Sequence, residues 1–182
     1  MRRGLFSLLG MLAAVCCYAQ SWSLSTNVAA YADFGTMNAE VGYALGRHWN
    51  ATALVRYNPF TFSSDDGPMQ NRQRSLAAGA RYWPWHIYSG WWVGGAAQAQ
   101  EYNRGGIRSP ETREGQRYGA GLSGGYAYML TPWLNLDVGV GFWGGIDRYS
   151  VYECPVCGLT LDKGQKTFLL PDRLMLALSF IF

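Results

Sequence analysis

The sequence has few charges, few cysteines and histidines, and no long apolar run beyond its first residues. Charged residues make up 15% of the chain and apolar residues 49%, whereas an average soluble protein carries about 25% charge. Intrinsic disorder is excluded, because disordered chains combine low hydrophobicity with high charge. After residue 20 no stretch approaches the ~20 apolar residues of a membrane helix. Helical spans are therefore excluded there, but membrane β-strands are not.

The first nineteen residues have the order of a bacterial signal peptide. Arg2 and Arg3 precede an apolar run over residues 4–15, and small residues then end at Ala19. We predict cleavage after Ala19, which gives a signal peptide at 1–19. The remaining residues, 20–182, have the length of one exported domain.

A lipoprotein is the alternative interpretation of this leader. It would be acylated at Cys16, but Val15 is bulky where a small residue is expected before such a cysteine. Removing the leader leaves a nearly neutral chain with scattered basic residues. Nucleic acid is therefore not an expected partner, because its binding needs a clustered basic surface.

Alternation with a period of two runs through the remaining chain. From Trp133 to Phe142 every second residue from Leu134 onward is Leu, Val or Phe, and residues 173–182 repeat the pattern. Such alternation predicts strands with two chemically different faces. Six further segments read similarly, near 24–33, 37–45, 49–59, 73–83, 90–102 and 115–128. Each predicted strand, at about 9 to 14 residues, is long enough to cross a bilayer at a tilt.

The predicted connections alternate in size. Long polar loops are expected near 60–72, 103–114 and 146–170, and short turns lie between the other strands. Tyr and Trp concentrate near the strand ends, as in the aromatic girdles of outer-membrane barrels. The sequence therefore predicts an all-β fold, an eight-stranded antiparallel up-and-down transmembrane β-barrel in a Gram-negative outer membrane. A soluble β-sandwich with buried aromatics is the alternative.

The last strand carries a second signal. Phe180 and Phe182 lie on its apolar face. Barrels of this type commonly end in an aromatic residue that the barrel assembly machinery recognises. We therefore interpret Phe180 and Phe182 as a barrel assembly signal, which makes that machinery and the outer-membrane lipid expected partners.

Several charged residues fall on the faces opposite the Leu and Val residues. Buried charges are costly unless they are paired, so we predict a lumen charge network of Glu40, Arg56, Arg81 and Asp137. The interior of an eight-stranded barrel is about wide enough for its side chains, and no open pore is expected. A narrow channel along these charges is the alternative. Four more polar residues are expected near the network: Asp33, Gln98, Gln100 and Arg117.

The predicted loop at 146–170 contains Cys154 and Cys157 in a Cys-Pro-Val-Cys-Gly stretch. Half a zinc knuckle is not a site, because structural zinc takes four ligands. We predict a local disulfide between Cys154 and Cys157, since disulfides persist in exported proteins. A zinc ion shared between two chains is the alternative.

The sequence offers no catalytic set. Its only histidines, His48 and His86, fall in short turns at the end opposite the long loops. The loop acids Asp147, Glu153 and Asp162 are interpreted as ordinary solvated carboxylates. We therefore predict no catalytic residue, metal site or cofactor, and a lipid-modifying barrel enzyme is the alternative.

Several stretches, taken together, resemble a known family. They are Thr26-Asn27, Trp49 with 57–62 (Tyr-Asn-Pro-Phe-Thr-Phe), Arg81-Tyr82-Trp83 and Tyr152-Glu153-Cys154-x-x-Cys157-Gly158. In this order they resemble the Bacteroidetes outer-membrane family known as domain of unknown function 3575, and the resemblance covers nearly the whole exported part.

The resemblance implies a small barrel with a link to fimbrial or adhesin assembly, since members are often encoded beside pilus components. No activity is established for the family, so no catalytic residue is carried over. This chain has Pro155 and Val156 between its cysteines, where basic residues are common in the family. The expected function is a structural or surface-interaction role, with fimbrial or other surface proteins as partners.

Overall fold

The computed structural model describes residues 21–64, 67–107, 111–153 and 159–182, so the predicted signal peptide lies outside the described residues. A short 3-10 helix spans Val28–Ala32. In the described ranges, no helix is long and apolar enough to cross a membrane. The strands found there are β1 (Trp22–Asn27), β2 (Met37–Ala44), β3 (Trp49–Asn58), β4 (Thr61–Ser64), β5 (Gly67–Tyr82), β6 (Gly90–Gly105), β7 (Thr112–Thr131), β8 (Leu134–Tyr152) and β9 (Thr160–Ile181).

The strands form a closed antiparallel barrel. Consecutive strands pair along the chain, β3 pairs with β5, and the first strand β1 pairs with the last strand β9. Strand β4 stays outside the ring and forms a hairpin with the start of β5. The predicted all-β, eight-stranded, up-and-down antiparallel barrel is confirmed.

The two ends of the barrel differ. The turn end carries the connections at 45–48, 83–89 and 132–133, and the loop end carries those at 28–36, 106–111 and 153–159. Strands β1, β2 and β3 are 6 to 10 residues long, whereas β5 to β9 are 16 to 22 residues long. The wall is therefore much taller on the β5–β9 side of the loop end.

The structure differs from the predicted loops near 60–72, 103–114 and 146–170. Most of their residues continue the strands, and the longest predicted loop shrinks to 153–159 between β8 and β9. In the extended region both faces are polar, as at Arg148 and Ser150 outside and Asp147 inside. Hydrogen bonding between strands continues where the contrast between faces ends, so a pattern based on that contrast stops too early.

Side chains alternate between a polar interior and an apolar outer surface. On β5, Ser75 and Arg81 are buried, whereas Leu76 and Ala78 are exposed. Exposed aliphatic side chains form an apolar belt around the middle of the wall, comprising Leu24, Val41, Val55, Leu76, Val93, Leu122, Val138, Val140, Leu174 and Leu176.

Exposed aromatic side chains border the apolar belt at both ends. Those at the turn end are Trp22, Tyr43, Trp49, Trp91, Tyr128 and Trp133, and those at the loop end are Tyr57, Phe60, Phe62 and Tyr118. Some are in ring contact, such as Trp22 and Tyr43 with centroids 4.7 Å apart.

The apolar core of the barrel lies at the turn end. Trp83 and Trp92 are almost completely buried, with ring centroids 6.2 Å apart, and Tyr88 packs edge-on against Trp83. Trp83, Tyr88 and Trp92 together form an aromatic plug. A Cβ atom at Gly125 would stand 2.8 Å from the Trp92 ring, so the glycine makes room for this plug. Burial raises the pKa of the Tyr88 hydroxyl, which lies in the 83–89 turn.

Candidate functional site

The centre of the lumen holds an ion pair between Arg81 and Glu40. Arg81 Nη2 donates to Glu40 Oε1, and both side chains are buried. The guanidinium carbon of Arg81 also lies 4.4 Å from the centroid of the Trp92 ring. A planar cation can satisfy a carboxylate and cover an aromatic face together, so Arg81 joins the polar centre to the aromatic plug.

Asp137 lies beside this pair but is held by serines. Ser179 Oγ donates to Asp137 Oδ2 at 2.6 Å, and Ser25 Oγ donates to Ser179 Oγ at 2.8 Å. Strands β1, β9 and β8 supply these residues in order around the wall. The chain of hydrogen bonds therefore crosses the seam where the barrel closes.

Arg56, the remaining residue of the predicted lumen network, reaches a different acid. Its Nη1 donates to Asp172 Oδ1 at 3.1 Å, and both side chains are largely buried. Thus the structure places Glu40, Arg56, Arg81 and Asp137 inside the lumen, where Glu40 pairs with Arg81 and Arg56 pairs with Asp172.

The position of Asp172 does not follow from the alternation of the sequence, because the residue lies at a β-bulge. Gly141 pairs with Arg173 and Phe142 pairs with Pro171, so Asp172 is an extra residue in β9. A bulge changes which residues face inward beyond it. The sequence feature that indicates this bulge is Pro171, since proline inside a sheet is found at bulges and edges.

A second ion pair lies nearer the loop end. Arg117 Nε is 3.2 Å from Asp147 Oδ2, and the Tyr102 hydroxyl lies 2.8 Å and 3.1 Å from the two Asp147 oxygens. The Arg117 guanidinium carbon is 3.9 Å from the Tyr102 ring centroid. Asp147 is completely buried, so its interpretation as a solvated loop acid is wrong: β8 continues past residue 146 and carries it into the interior.

The connection between β1 and β2 folds inward and forms a lid over the lumen. Asp33 accepts hydrogen bonds from Asn71 Nδ2 at 2.7 Å and Gln73 Nε2 at 3.1 Å. Thr36 is buried and accepts from Gln73 Nε2 at 3.2 Å. Gln100, on β6, donates to Gln73 Oε1 at 2.5 Å and extends this network towards Arg117.

Little empty space remains between these networks. The central cavity has a volume of about 20 Å³ and is lined by Ser25, Glu40, Arg56, Arg81, Asp137 and neighbouring residues. That volume is roughly what one water molecule needs. At this level of the lumen, the described side chains therefore fill the interior instead of lining an open pore.

The residues of the predicted assembly signal, Phe180 and Phe182, lie outside the lumen networks. Phe180 faces outward and stacks on Trp133, with centroids 6.1 Å apart, and Phe182 forms backbone hydrogen bonds with Trp22. Cys154 and Cys157 lie outside the described residues.

Both histidines lie in turns at the turn end. His48 Nδ1 is hydrogen-bonded to the Trp83 carbonyl oxygen at 2.8 Å, and His86 is exposed. Within the described ranges, no group of three or more His, Cys, Asp or Glu side chains could hold a metal ion.

The family assignment follows from the sequence as a whole. Residues 5–182 match the family model described as protein of unknown function (DUF3575). This chain belongs to the DUF3575 family. No curated protein and no solved structure matches the chain significantly. The predicted family membership is confirmed, and the family description transfers no activity to any residue.

The structure gives a physical role to one residue of the DUF3575-like motifs. Asn58, from the Asn-Pro stretch at the end of β3, is almost completely buried. Its Nδ2 donates to the Phe34 carbonyl and to Thr36 Oγ1, each at 3.1 Å, and its Oδ1 accepts from the Phe60 amide at 3.0 Å. In this DUF3575 protein, Asn58 therefore ties the lid to the barrel wall.

Proposed function

We propose that the protein is an outer-membrane β-barrel with a filled interior, whose role is structural and interactive. Its loop end contacts a partner on the cell surface, a fimbrial subunit or another adhesin. The barrel is the anchor in this proposal, and no catalytic step is assigned to its residues.

The observation that carries the proposal is the apolar belt. A barrel in water would hide its aliphatic residues, and monomeric soluble proteins rarely expose apolar patches above a few hundred Å². Here Leu122 and Leu174 are 77% and 74% exposed. Trp49 and Tyr57 border the belt on one strand, roughly 20 Å apart along the barrel axis at usual strand rise and tilt. That height approaches the ~25 Å apolar band of outer-membrane barrels.

The filled interior supports an anchoring role over the two alternatives. Ion pairs, the lid and the aromatic plug occupy the lumen, and the central cavity holds about 20 Å³. Conduction would need a continuous water path. An enzyme that acts on lipids would need a nucleophile and base near the leaflet, but the described histidines lie in the turns at 48 and 86.

The membrane part of the proposal is tested by heat modifiability and fractionation. Exported into a Gram-negative host, the protein should sediment with outer membranes and remain there after carbonate washing. It should migrate faster in SDS gels when unheated, because a closed barrel leaves no free strand edge in lipid. Recovery as a soluble periplasmic protein that migrates identically before and after boiling would contradict the proposal.

The partner is tested by cross-linking on intact cells of the native host. Photoreactive residues at Ile107 and Leu159, both exposed at the loop end, should capture a surface protein. The matched control places the same group at Leu45, which is exposed at the turn end. Equal capture from both ends, or identification of only periplasmic proteins at the loop end, would argue against a surface partner.

A further inference from the structure

Two connected grooves mark the outer surface near the loop end. The rim groove has a volume of about 750 Å³ and runs across β3 and β5–β9. The belt groove has a volume of about 380 Å³ and descends from it into the apolar belt. The two grooves share three lining residues, Tyr57, Arg74 and Glu101.

The belt groove has an apolar lining, and one small residue in that lining leaves its space open. Ala99 on β6 pairs with Leu76 on one side and Tyr118 on the other, and all three belong to its lining. Val55 lies on the next strand, paired with Leu76. Large apolar side chains thus flank the methyl group of Ala99, and the space of the belt groove lies between them.

The rim groove is basic directly above the belt groove. Arg72 and Arg74 lie two residues apart on β5, so both point outward, roughly 7 Å apart. Arg148 and Lys163 line its other end on β8 and β9, and Glu101 and Glu114 lie between the two basic ends. The groove therefore carries four basic and two acidic side chains.

Arg74 remains available to a ligand although it already has a partner. Its Nε pairs with Glu101 Oε2, and its side chain is 73% exposed. Glu101 also accepts from Gln116 Nε2 at 3.3 Å, which draws this carboxylate towards β7. A guanidinium has five N–H donors, so one contact through Nε uses a minority of them.

We propose that Arg72 and Arg74 bind the phosphate of a membrane lipid whose acyl chain lies in the belt groove over Ala99. The inference rests on the proposed membrane insertion, since it places the lipid in the leaflet that surrounds the loop end. Arginine matches phosphate with paired N–H donors, and the chain of such a lipid descends into the apolar belt. Among the described residues of the rim groove, only those at the β5 end combine a pair of basic side chains with access to the belt groove.

The test measures lipid retention by the folded full chain. The protein, purified in neutral detergent, is mixed with phosphatidic acid or with the diacylglycerol of the same acyl chains, which lacks the phosphate, and bound lipids are counted by native mass spectrometry. We expect one retained phosphatidic acid and no comparable retention of diacylglycerol. The double substitution Arg72→Gln/Arg74→Gln should weaken phosphatidic acid binding at least about tenfold, as expected for lost hydrogen bonds between charged groups.

Two further variants separate this site from general surface charge. Arg148→Gln/Lys163→Gln removes the same charge from the other end of the rim groove and should bind like the wild type. Ala99→Trp fills the belt groove without touching the arginines and should also weaken binding. Each variant must retain the heat-dependent gel shift. If one of the two site variants, Arg72→Gln/Arg74→Gln or Ala99→Trp, loses the gel shift, lipid binding by the other one decides the outcome.

Several results would overturn the proposal. Equal losses in both double variants would indicate diffuse electrostatics, and equal retention of the two lipids would remove the phosphate from the argument. Displacement by inorganic phosphate alone would indicate an ion site instead of a lipid site. A wild-type barrel that inserts into vesicles but retains no phosphatidic acid would refute the lipid site and leave the proposed function intact. Failure to insert would refute both.

Discussion

At the scale of single residues, the interior depends on arginines that each serve more than one neighbour. Arg81 binds Glu40 and lies over Trp92, and Arg117 binds Asp147 and lies over Tyr102. Removing one member of a buried pair leaves an uncompensated charge, which is more harmful than losing the whole pair. Stability should therefore depend strongly on these few positions.

Replacing Arg81 by Gln should destabilise the barrel strongly. Glu40 would stay buried but lose the Arg81 guanidinium, and Trp92 would lose its cover, so we expect a loss of about 3 to 5 kcal/mol. Urea unfolding in detergent, followed by tryptophan fluorescence, measures it. The matched control is Arg47→Gln in the exposed 45–48 turn, which should change stability by no more than about 0.5 kcal/mol. Similar unfolding midpoints for both variants would contradict the buried pair.

At the scale of elements, the bulge in β9 decides which side chains enter the lumen. Below it Met175 and Ala177 face inward, and above it Leu170 and Phe168 do so, while Leu169 is exposed. A shift of one residue exchanges the two faces of a strand. The bulge takes up the extra residue Asp172, so the pairing of β9 with β8 continues above it with Leu170 and Phe168 facing inward.

Deletion and substitution at Asp172 should both leave a folded barrel. Deleting it places Pro171 next to Arg173, so Gly141 and Phe142 keep their partners without a bulge and Leu169 stays exposed. The deletion should lower stability, because Arg56 loses the Asp172 carboxylate, and Asp172→Asn should lower it less, because the contact is only weakened. Urea midpoints in detergent compare the two variants. Loss of the gel shift of the unheated deletion variant would show that the barrel needs the bulge itself.

The β8–β9 connection should be closed by a disulfide that the barrel does not need. Cys154 and Cys157 lie outside the described residues, and the ring between them is small, so it constrains the unfolded chain little. Cys154→Ser/Cys157→Ser should leave the urea midpoint nearly unchanged and reduce cross-linking at Leu159 to the proposed surface partner. Thiol labelling before and after reduction checks the pairing. Free thiols in protein isolated without reductant would refute it, and zinc at half an equivalent per chain would favour the shared metal site.

At the scale of the whole molecule, the barrel is closed along its length by three layers. The aromatic plug around Trp83 and Trp92 fills the turn end, the ion pairs of Arg81 and Arg56 fill the centre, and the lid at 28–36 covers the loop end. Each layer is anchored to several strands. Opening a path would require all three to rearrange together.

The reconstituted protein should therefore conduct no ions. In planar bilayers we expect no current steps above background over the physiological voltage range, because the central cavity has room for roughly one water molecule. A general porin inserted into the same bilayer provides the positive control. Reproducible ohmic steps from the heat-modifiable protein would restore the narrow-channel alternative.

Much of this architecture can be predicted from local patterns in the sequence. Alternation near Leu134 and Leu174 specifies strands with two faces, and the inward positions of Glu40 and Arg81 follow from the same period of two. The aromatic residues at the strand ends indicate a barrel, and the family motifs indicate membership of the DUF3575 family. These features are local in sequence, so a sequence can reveal them.

Other features arose only when distant strands came together. The partner of Arg56 is 116 positions away and lies at a bulge, which breaks the period from which facing is inferred. Asp147 is buried because β8 continues through a region polar on both faces, where pattern carries no contrast. The two grooves depend on which residues stand side by side across strands, as Ala99 does between Leu76 and Tyr118. Register between strands sets such neighbours, and register is a property of the closed barrel instead of any single segment.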